Sequence, residues 1–217
     1  MAQSVDRSDP VVAAKAWPTN GHLVADVARL GYLRASDRVL DPTYGEGVWW
    51  REWRPAGLVA HDLNPAKAPD GARDFRDLGY PRASFDAVAF DPPYKLNGTP
   101  DEDTDARYGV DVPGTVAERM ALIFAGCTEA ARVLTRRGVL LVKCQDQVVS
   151  GAVYWQTDEI TWHVDSLGFD KVDRFDLLGG GRPQPAGRAQ QHAYGRPSSL
   201  LVFAGRRDRP MGQGRLL

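Results

Sequence analysis

Phe85-Asp86-Ala87-Val88-Ala89-Phe90-Asp91-Pro92-Pro93-Tyr94 is the stretch on which the reading of this 217-residue chain turns. Its first six residues carry β-branched and aromatic side chains and read as a short buried strand, which two prolines then end because they have no N–H for a ladder. Asp91-Pro92-Pro93-Tyr94 is thereby placed at a strand's carboxyl end, the edge where open α/β sheets bind ligands. The residue types there suit one chemistry. Asp91 can accept a hydrogen bond from an exocyclic amine, the Pro92 carbonyl can accept a second, and Tyr94 offers a ring face for stacking. Two acceptors on one NH2 leave its lone pair exposed, as attack on an electrophilic methyl requires. Read alone, Asp-Pro-Pro could equally be a strand-ending turn, so the surroundings matter.

Upstream, Arg38-Val39-Leu40-Asp41 is an apolar strand running into Pro42-Thr43-Tyr44-Gly45-Glu46-Gly47 and then Val48-Trp49-Trp50. Glycines 45 and 47 let the backbone approach a ligand, and a helix after them would point free N–H groups at it. Gly57 to Asp62 reads as the next strand, ending in an acid, with Leu63 after it; such an acid commonly takes the two hydroxyls of a cofactor ribose. Ala72 to Leu78 reads as a weaker strand, whose Asp77 could accept from an adenine amine or cap a turn. Before all of these, Leu23, Val24, Val27 and Leu30 mark one helical face between Asn20 and Gly31, preceded by Trp17-Pro18-Thr19.

Downstream, residues 95–114 form a long acidic polar loop, expected to be a mobile lid. Thr115-Val116-Ala117-Glu118 is a capping box, and its helix is expected to run to Gly138. Val139 to Cys144 reads as a strand that delivers Lys143, Gln145, Asp146 and Gln147 to the same edge as Asp91. A helix follows near 157–167. Two last strands, 169–178 and 198–206, flank a loop over 179–197 stocked with Arg182, Gln184, Arg188, Gln190, Gln191, His192 and Arg196, side chains that pair with guanine, adenine and phosphate.

Composition sets bounds. A hydrophobic share of 43% supports one sizeable core, and no run approaches a membrane span or a signal-peptide core, so a cytoplasmic location is expected. Cys127 and Cys144 sit in separate apolar segments and read as buried, with no metal-ligand spacing. The net charge of −1 hides an asymmetry: from Gly179 onward seven arginines face one acid, whereas the preceding 178 residues carry 20 bases against 27 acids. A basic end on an acidic body points to a polyanionic partner. The expected organisation is a disordered 1–10, one domain over 11–206 and a basic tail over 207–217.

Strand and helix alternating through the first six strands, with no helix between the last two, resembles the Rossmann-like class I S-adenosylmethionine-dependent methyltransferase fold: a seven-stranded, mostly parallel sheet with an antiparallel last strand and helices on both faces. Within it, Asp41 to Gly47, Asp62 and Asp91-Pro92-Pro93-Tyr94 are similar to the motifs of the DNA adenine-N6 and cytosine-N4 amino-methyltransferases. The resemblance implies S-adenosylmethionine as cofactor, held by Pro18, Thr19, Asp41, Pro42, Thr43, Tyr44, Gly45 and Gly47 at its methionine part, by Asp62 and Leu63 at the ribose, and by Asp77 and Leu78 at the adenine. It implies catalysis by Asp91, Pro92, Pro93 and Tyr94 on a base flipped from duplex DNA, adenine N6 first, with neither a metal nor a membrane partner. Nucleic-acid contacts would come from Lys95, Lys143 and the 182–196 side chains. Gly47 and Asp91 are only 44 positions apart, which leaves no room for a recognition domain and is similar to the compact solitary enzymes of phages and actinobacteria. Cytosine N4, a guanine amine of RNA, a glutamine amide of a protein, and a non-catalytic DNA-binding module remain open.

Overall fold

The computed structural model describes residues 10–96, 114–179 and 197–206. Nine strands are named in chain order: β1 (Ala14–Lys15), β2 (Arg38–Asp41), β3 (Gly57–Ala60), β4 (Phe85–Phe90), β5 (Leu134–Gln145), β6 (Gln147–Val149), β7 (Ala152–Tyr154), β8 (Phe169–Leu177) and β9 (Ser198–Gly205). Seven of them form one sheet in the order β1-β8-β9-β5-β4-β2-β3, and β6 and β7 make a separate two-stranded ribbon. β2, β3, β4 and β5 run parallel, while β9 lies antiparallel between β5 and β8. This is the class I methyltransferase architecture expected from the order of parts.

Period-two alternation divides each central strand between two cores. Leu40, Val88, Phe90, Leu140 and Val142 point to a cluster closed by α2 (Val116–Val133) and α3 (Gln156–Ser166). Val39, Ala87, Ala89 and Leu141 point the other way, toward α1 (Asn20–Arg29), where the small alanines leave space for Trp17, Trp49 and Trp50. α2 begins as its sequence dictates: the Thr115 side chain accepts from Glu118 N–H, and the Glu118 carboxylate accepts from Thr115 N–H.

Four expectations are corrected. Residues 72–78 add no strand to the sheet; only an isolated Asp74–Asp77 bridge remains. The Asp74 carboxylate accepts from Arg76 N–H at 2.9 Å and from its guanidinium, and such local bonds compete with a ladder. The seventh strand is β1 instead, pairing with β8 at the far edge. After Gly47 comes only a one-turn 3-10 helix, Val48–Trp50, so no long helix points its N-terminus at the glycines. β5 starts at Leu134 rather than 139, cutting α2 short of Gly138. The β6–β7 ribbon, turned by Ser150 and Gly151 at positive φ, carried no clear sequence signal. Among the described residues, no helix is long and apolar enough to cross a membrane.

Candidate active site

β2 has β3 on one side and β4 on the other, so the chain steps one way after β2 and crosses back after β3, the reversal of strand order at whose carboxyl edge such sheets form their ligand crevice. Two segments, the turn after β2 and the end of β3, are stitched together there by backbone bonds. His61 N–H donates to the Asp41 carbonyl at 2.8 Å, and Tyr44 N–H donates to the His61 carbonyl at 2.9 Å. Gly45 N–H donates to Asp62 Oδ2 and Asn64 N–H to Asp62 Oδ1, each at 2.9 Å, so Asp62 closes the glycine turn while each oxygen keeps a second lone pair for a hydroxyl. Gly45 and Gly47 both sit at positive φ, and a Cβ at Gly47 would stand 2.5 Å from the Tyr44 hydroxyl.

Two adjacent tryptophans hold two acids. Trp50 Nε1 donates to Asp41 Oδ2 at 2.7 Å, with Thr43 N–H on Oδ1 at 3.0 Å; Trp49 Nε1 donates to Asp91 Oδ2 at 3.1 Å. Thr43 Oγ1 accepts from Asp91 N–H at 2.9 Å, which locks the end of β4 to the turn after β2. Burial pushes the Asp41 carboxyl up to about 7, against the pull of its two donors, and the neighbouring Asp91 and Asp62 charges push the same way. Burial also raises Asp91, opposed by the Lys143 ammonium and by Trp49. Asp91 Oδ1 is buried and has no hydrogen-bond partner. A buried acceptor left without a donor costs about 1–3 kcal/mol, so this oxygen marks a place built for a ligand donor.

The tetrapeptide after β4 is clamped from β5, the ribbon and α3. The Tyr94 carbonyl accepts from Gln147 Nε2 at 2.6 Å and Gln156 Nε2 at 3.0 Å. In return Gln147 Oε1 accepts from Leu96 N–H at 3.0 Å and the fully buried Gln156 accepts from Gln145 N–H at 2.9 Å. Pro92 is buried, and Pro93 and Tyr94 are partly so, with Tyr94 packed against the α2 and α3 core.

The expected residues divide as follows. Pro18 and Thr19 precede α1, whose first turn abuts the 3-10 helix: a Cβ at Gly21 would lie 2.8 Å from the Val48 carbonyl. They are thus brought toward the same crevice as Asp41, Pro42, Thr43, Tyr44, Gly45, Gly47 and Asp62. Leu63 is half exposed beside Asp62. Asp77 is exposed, whereas Leu78 is buried with its N–H given to Glu129 Oε1 and its carbonyl accepting from Arg73, so the Leu78 N–H is already used. Lys143, expected as a phosphate contact, is only 1% exposed and donates to Asn20 Oδ1 at 2.7 Å. Lys95 is partly exposed, its carbonyl bonded to Arg119. Arg182, Gln184, Arg188, Gln190, Gln191, His192 and Arg196 lie outside the described residues. Trp49, Trp50, Gln156 and Asn20 were not singled out in the sequence; the Trp pair directly after the glycine turn was the available signal.

No protein-family profile matches the sequence, and no curated protein does. Solved structures do resemble it. The [4+2]-cyclase SpnF superposes with a TM-score of 0.55 at 16% identity, over 85% of this chain and 80% of its own. The 1,6-didemethyltoxoflavin-N1-methyltransferase of Burkholderia thailandensis, solved with S-adenosylhomocysteine, gives 0.50 at 15% identity, over 86% and 76%. TTHA0409 of Thermus thermophilus, provisionally described as a DNA modification methylase, gives 0.43 at 17% identity over 64% of this chain, which spans 53% of that protein. At these identities the likeness establishes the fold, and a fold that also hosts a cyclase does not fix the chemistry.

Proposed function

We propose that the protein binds S-adenosylmethionine and methylates an exocyclic amine of a nucleic-acid base, adenine N6 in DNA first among the candidates. The observation that carries this reading is the buried, partnerless Asp91 Oδ1 at the carboxyl edge, followed directly by Pro92-Pro93-Tyr94. A planar amine supplies the missing donor. The Pro92 carbonyl takes its second hydrogen, and the Tyr94 ring, fixed through its clamped carbonyl, gives the attached ring a face to stack on.

The cofactor supplies, when bound, an electrophilic methyl on a positively charged sulfur. The residues around it fit that demand: the Asp41 to Gly47 turn has its glycines at positive φ, and Asp62 keeps spare lone pairs for hydroxyls. Asp91 and the Pro92 carbonyl would aim the amine lone pair at that methyl, with the sulfur of the bound cofactor as the leaving group. The surplus proton on nitrogen is then handed to the Asp91 carboxylate and on to solvent. Orientation and a preorganised polar site account for the catalysis, and no covalent enzyme intermediate is needed.

The test is a panel of duplex DNA, single-stranded DNA, tRNA, rRNA and a glutamine-bearing peptide, each incubated with methyl-labelled cofactor, alongside calorimetry of cofactor binding. Labelled DNA with micromolar cofactor binding supports the proposal. Label in the peptide alone, or no cofactor binding, contradicts it.

A further inference from the structure

We propose that Lys143 is a positioning residue whose buried ammonium, pinned by Asn20, holds Asp91 in its ionised, acceptor-only form. The functional consequence rests on the reading of Asp91 as the amine acceptor; the coupling between the two residues does not.

Strand register carries the argument. Phe90 pairs with Val142 in parallel β4 and β5, so Asp91 and Lys143 are the next residues on neighbouring strands. Ala89 and Leu141, two residues earlier on each, belong to the α1-side cluster, so the alternation sends Asp91 and Lys143 to that same face. α1 meets Lys143 there with the neutral Asn20, whose Oδ1 takes one of the three ammonium hydrogens at 2.7 Å. β9 sets Leu200 beside Lys143 and brings no charge. The charged and titratable groups that act at this corner are Asp91 from β4, the Cys144 thiol next in sequence, and, around Asp91 itself, Asp41 from β2 and, through Asp41, Asp62 after β3.

A lysine buried to 1% exposure with one neutral acceptor is a poor choice for packing alone, because desolvation disfavours its charge. It is a good choice where a carboxylate must stay charged away from water. Burial favours a protonated Asp91, and a protonated Asp91 would carry a hydrogen that competes for the amine lone pair. Removing the lysine charge should therefore raise the Asp91 pKa.

The two tryptophans supply a reporter that needs no substrate. Trp49 Nε1 touches Asp91 and Trp50 Nε1 touches Asp41, so their indole N–H resonances titrate with those acids separately. The experiment is a pH series of 1H–15N spectra on the full chain, with Trp49→Phe and Trp50→Phe used only for assignment. Lys143→Met should raise the Trp49 midpoint by about one pH unit or more while the Trp50 midpoint moves less; Lys143→Arg should restore it. Asn20→Ala, which keeps the charge and removes the pin, should shift it in the same direction by a smaller amount and serves if Lys143→Met does not fold. In turnover, the acid limb of the rate profile should follow the Trp49 midpoint. An unchanged Trp49 midpoint in a folded Lys143→Met, or a shift confined to Trp50, overturns the proposal. A wild type that methylates nothing would overturn the proposed function and leave this coupling measurable.

Discussion

Asp41 and Asp91 are held by neighbouring indoles, and burial pushes both carboxyls up, with the Lys143 ammonium opposing it at Asp91. Asp41 has its carboxyl raised from 3.8 to about 7, so its contribution to stability is fully present below 3.8 and is lost as pH rises to about 7, an interval worth roughly 4 kcal/mol. Between pH 5 and 7 the wild type should thus lose stability relative to Asp41→Asn by up to about 3 kcal/mol, read from denaturant midpoints; parallel curves would contradict that placement of the proton. If Asp91 is the proposed amine acceptor, Asp91→Ala should lower turnover by at least about a hundredfold while cofactor affinity stays within a few-fold, measured by calorimetry beside the rate. At this scale the sequence was most legible in placement: Asp41 ends β2, and Asp62 and Asp91 follow β3 and β4 closely, as their motifs imply. The burial of Lys143 was not legible, because a lysine at a ligand-binding edge reads as a phosphate contact unless strand parity is followed to the α1 face, where Asn20 accepts from it.

Helices and turns settle how tightly those residues are held. In α2, a Cβ at Gly126 would stand 2.4 Å from Phe90 Cζ and 2.8 Å from Phe75 Cδ2, so the helix rides against the residue just before Asp91. Gly126→Ala should therefore cost about 1–3 kcal/mol despite its better helix propensity, and should lower turnover as well; a rise in Tm would show that the contact yields freely. Thr115→Ala removes one half of the capping box and should cost about 1 kcal/mol without touching turnover, a control for stability loss alone. α1, α2, α3 and the last two strands were legible from periodicity, caps and glycine stops. The segment 72–78 was not, because alternating apolar and charged residues look like a strand until Asp74 folds its carboxylate back onto Arg76. Nor was the 3-10 turn at Val48–Trp50, where the indoles' bonds to Asp91 and Asp41 set the local geometry that propensity could not.

For the molecule as a whole, the mostly parallel sheet with an antiparallel last strand was legible because right-handed crossovers and a helix-free final pair leave few topologies. One sheet carries two cores, and the acids and the lysine gather where β2, β4 and β5 end on the α1 side. The short 3-10 turn and the loop through 61–84 replace helices around β3, which leaves that end of the crevice to Asp62 and Leu63. The seven arginines from Gly179 onward lie mostly outside the described residues, and their charge is the sequence's own argument for a nucleic-acid partner. One measurement tests the central claim most directly: incubate the protein with methyl-labelled S-adenosylmethionine and unmethylated duplex DNA, digest to nucleosides, and identify the label by mass spectrometry. The account predicts N6-methyladenine in the wild type and its loss in Asp91→Ala. Label absent from every nucleoside while the cofactor binds, or label undiminished in Asp91→Ala, would contradict it.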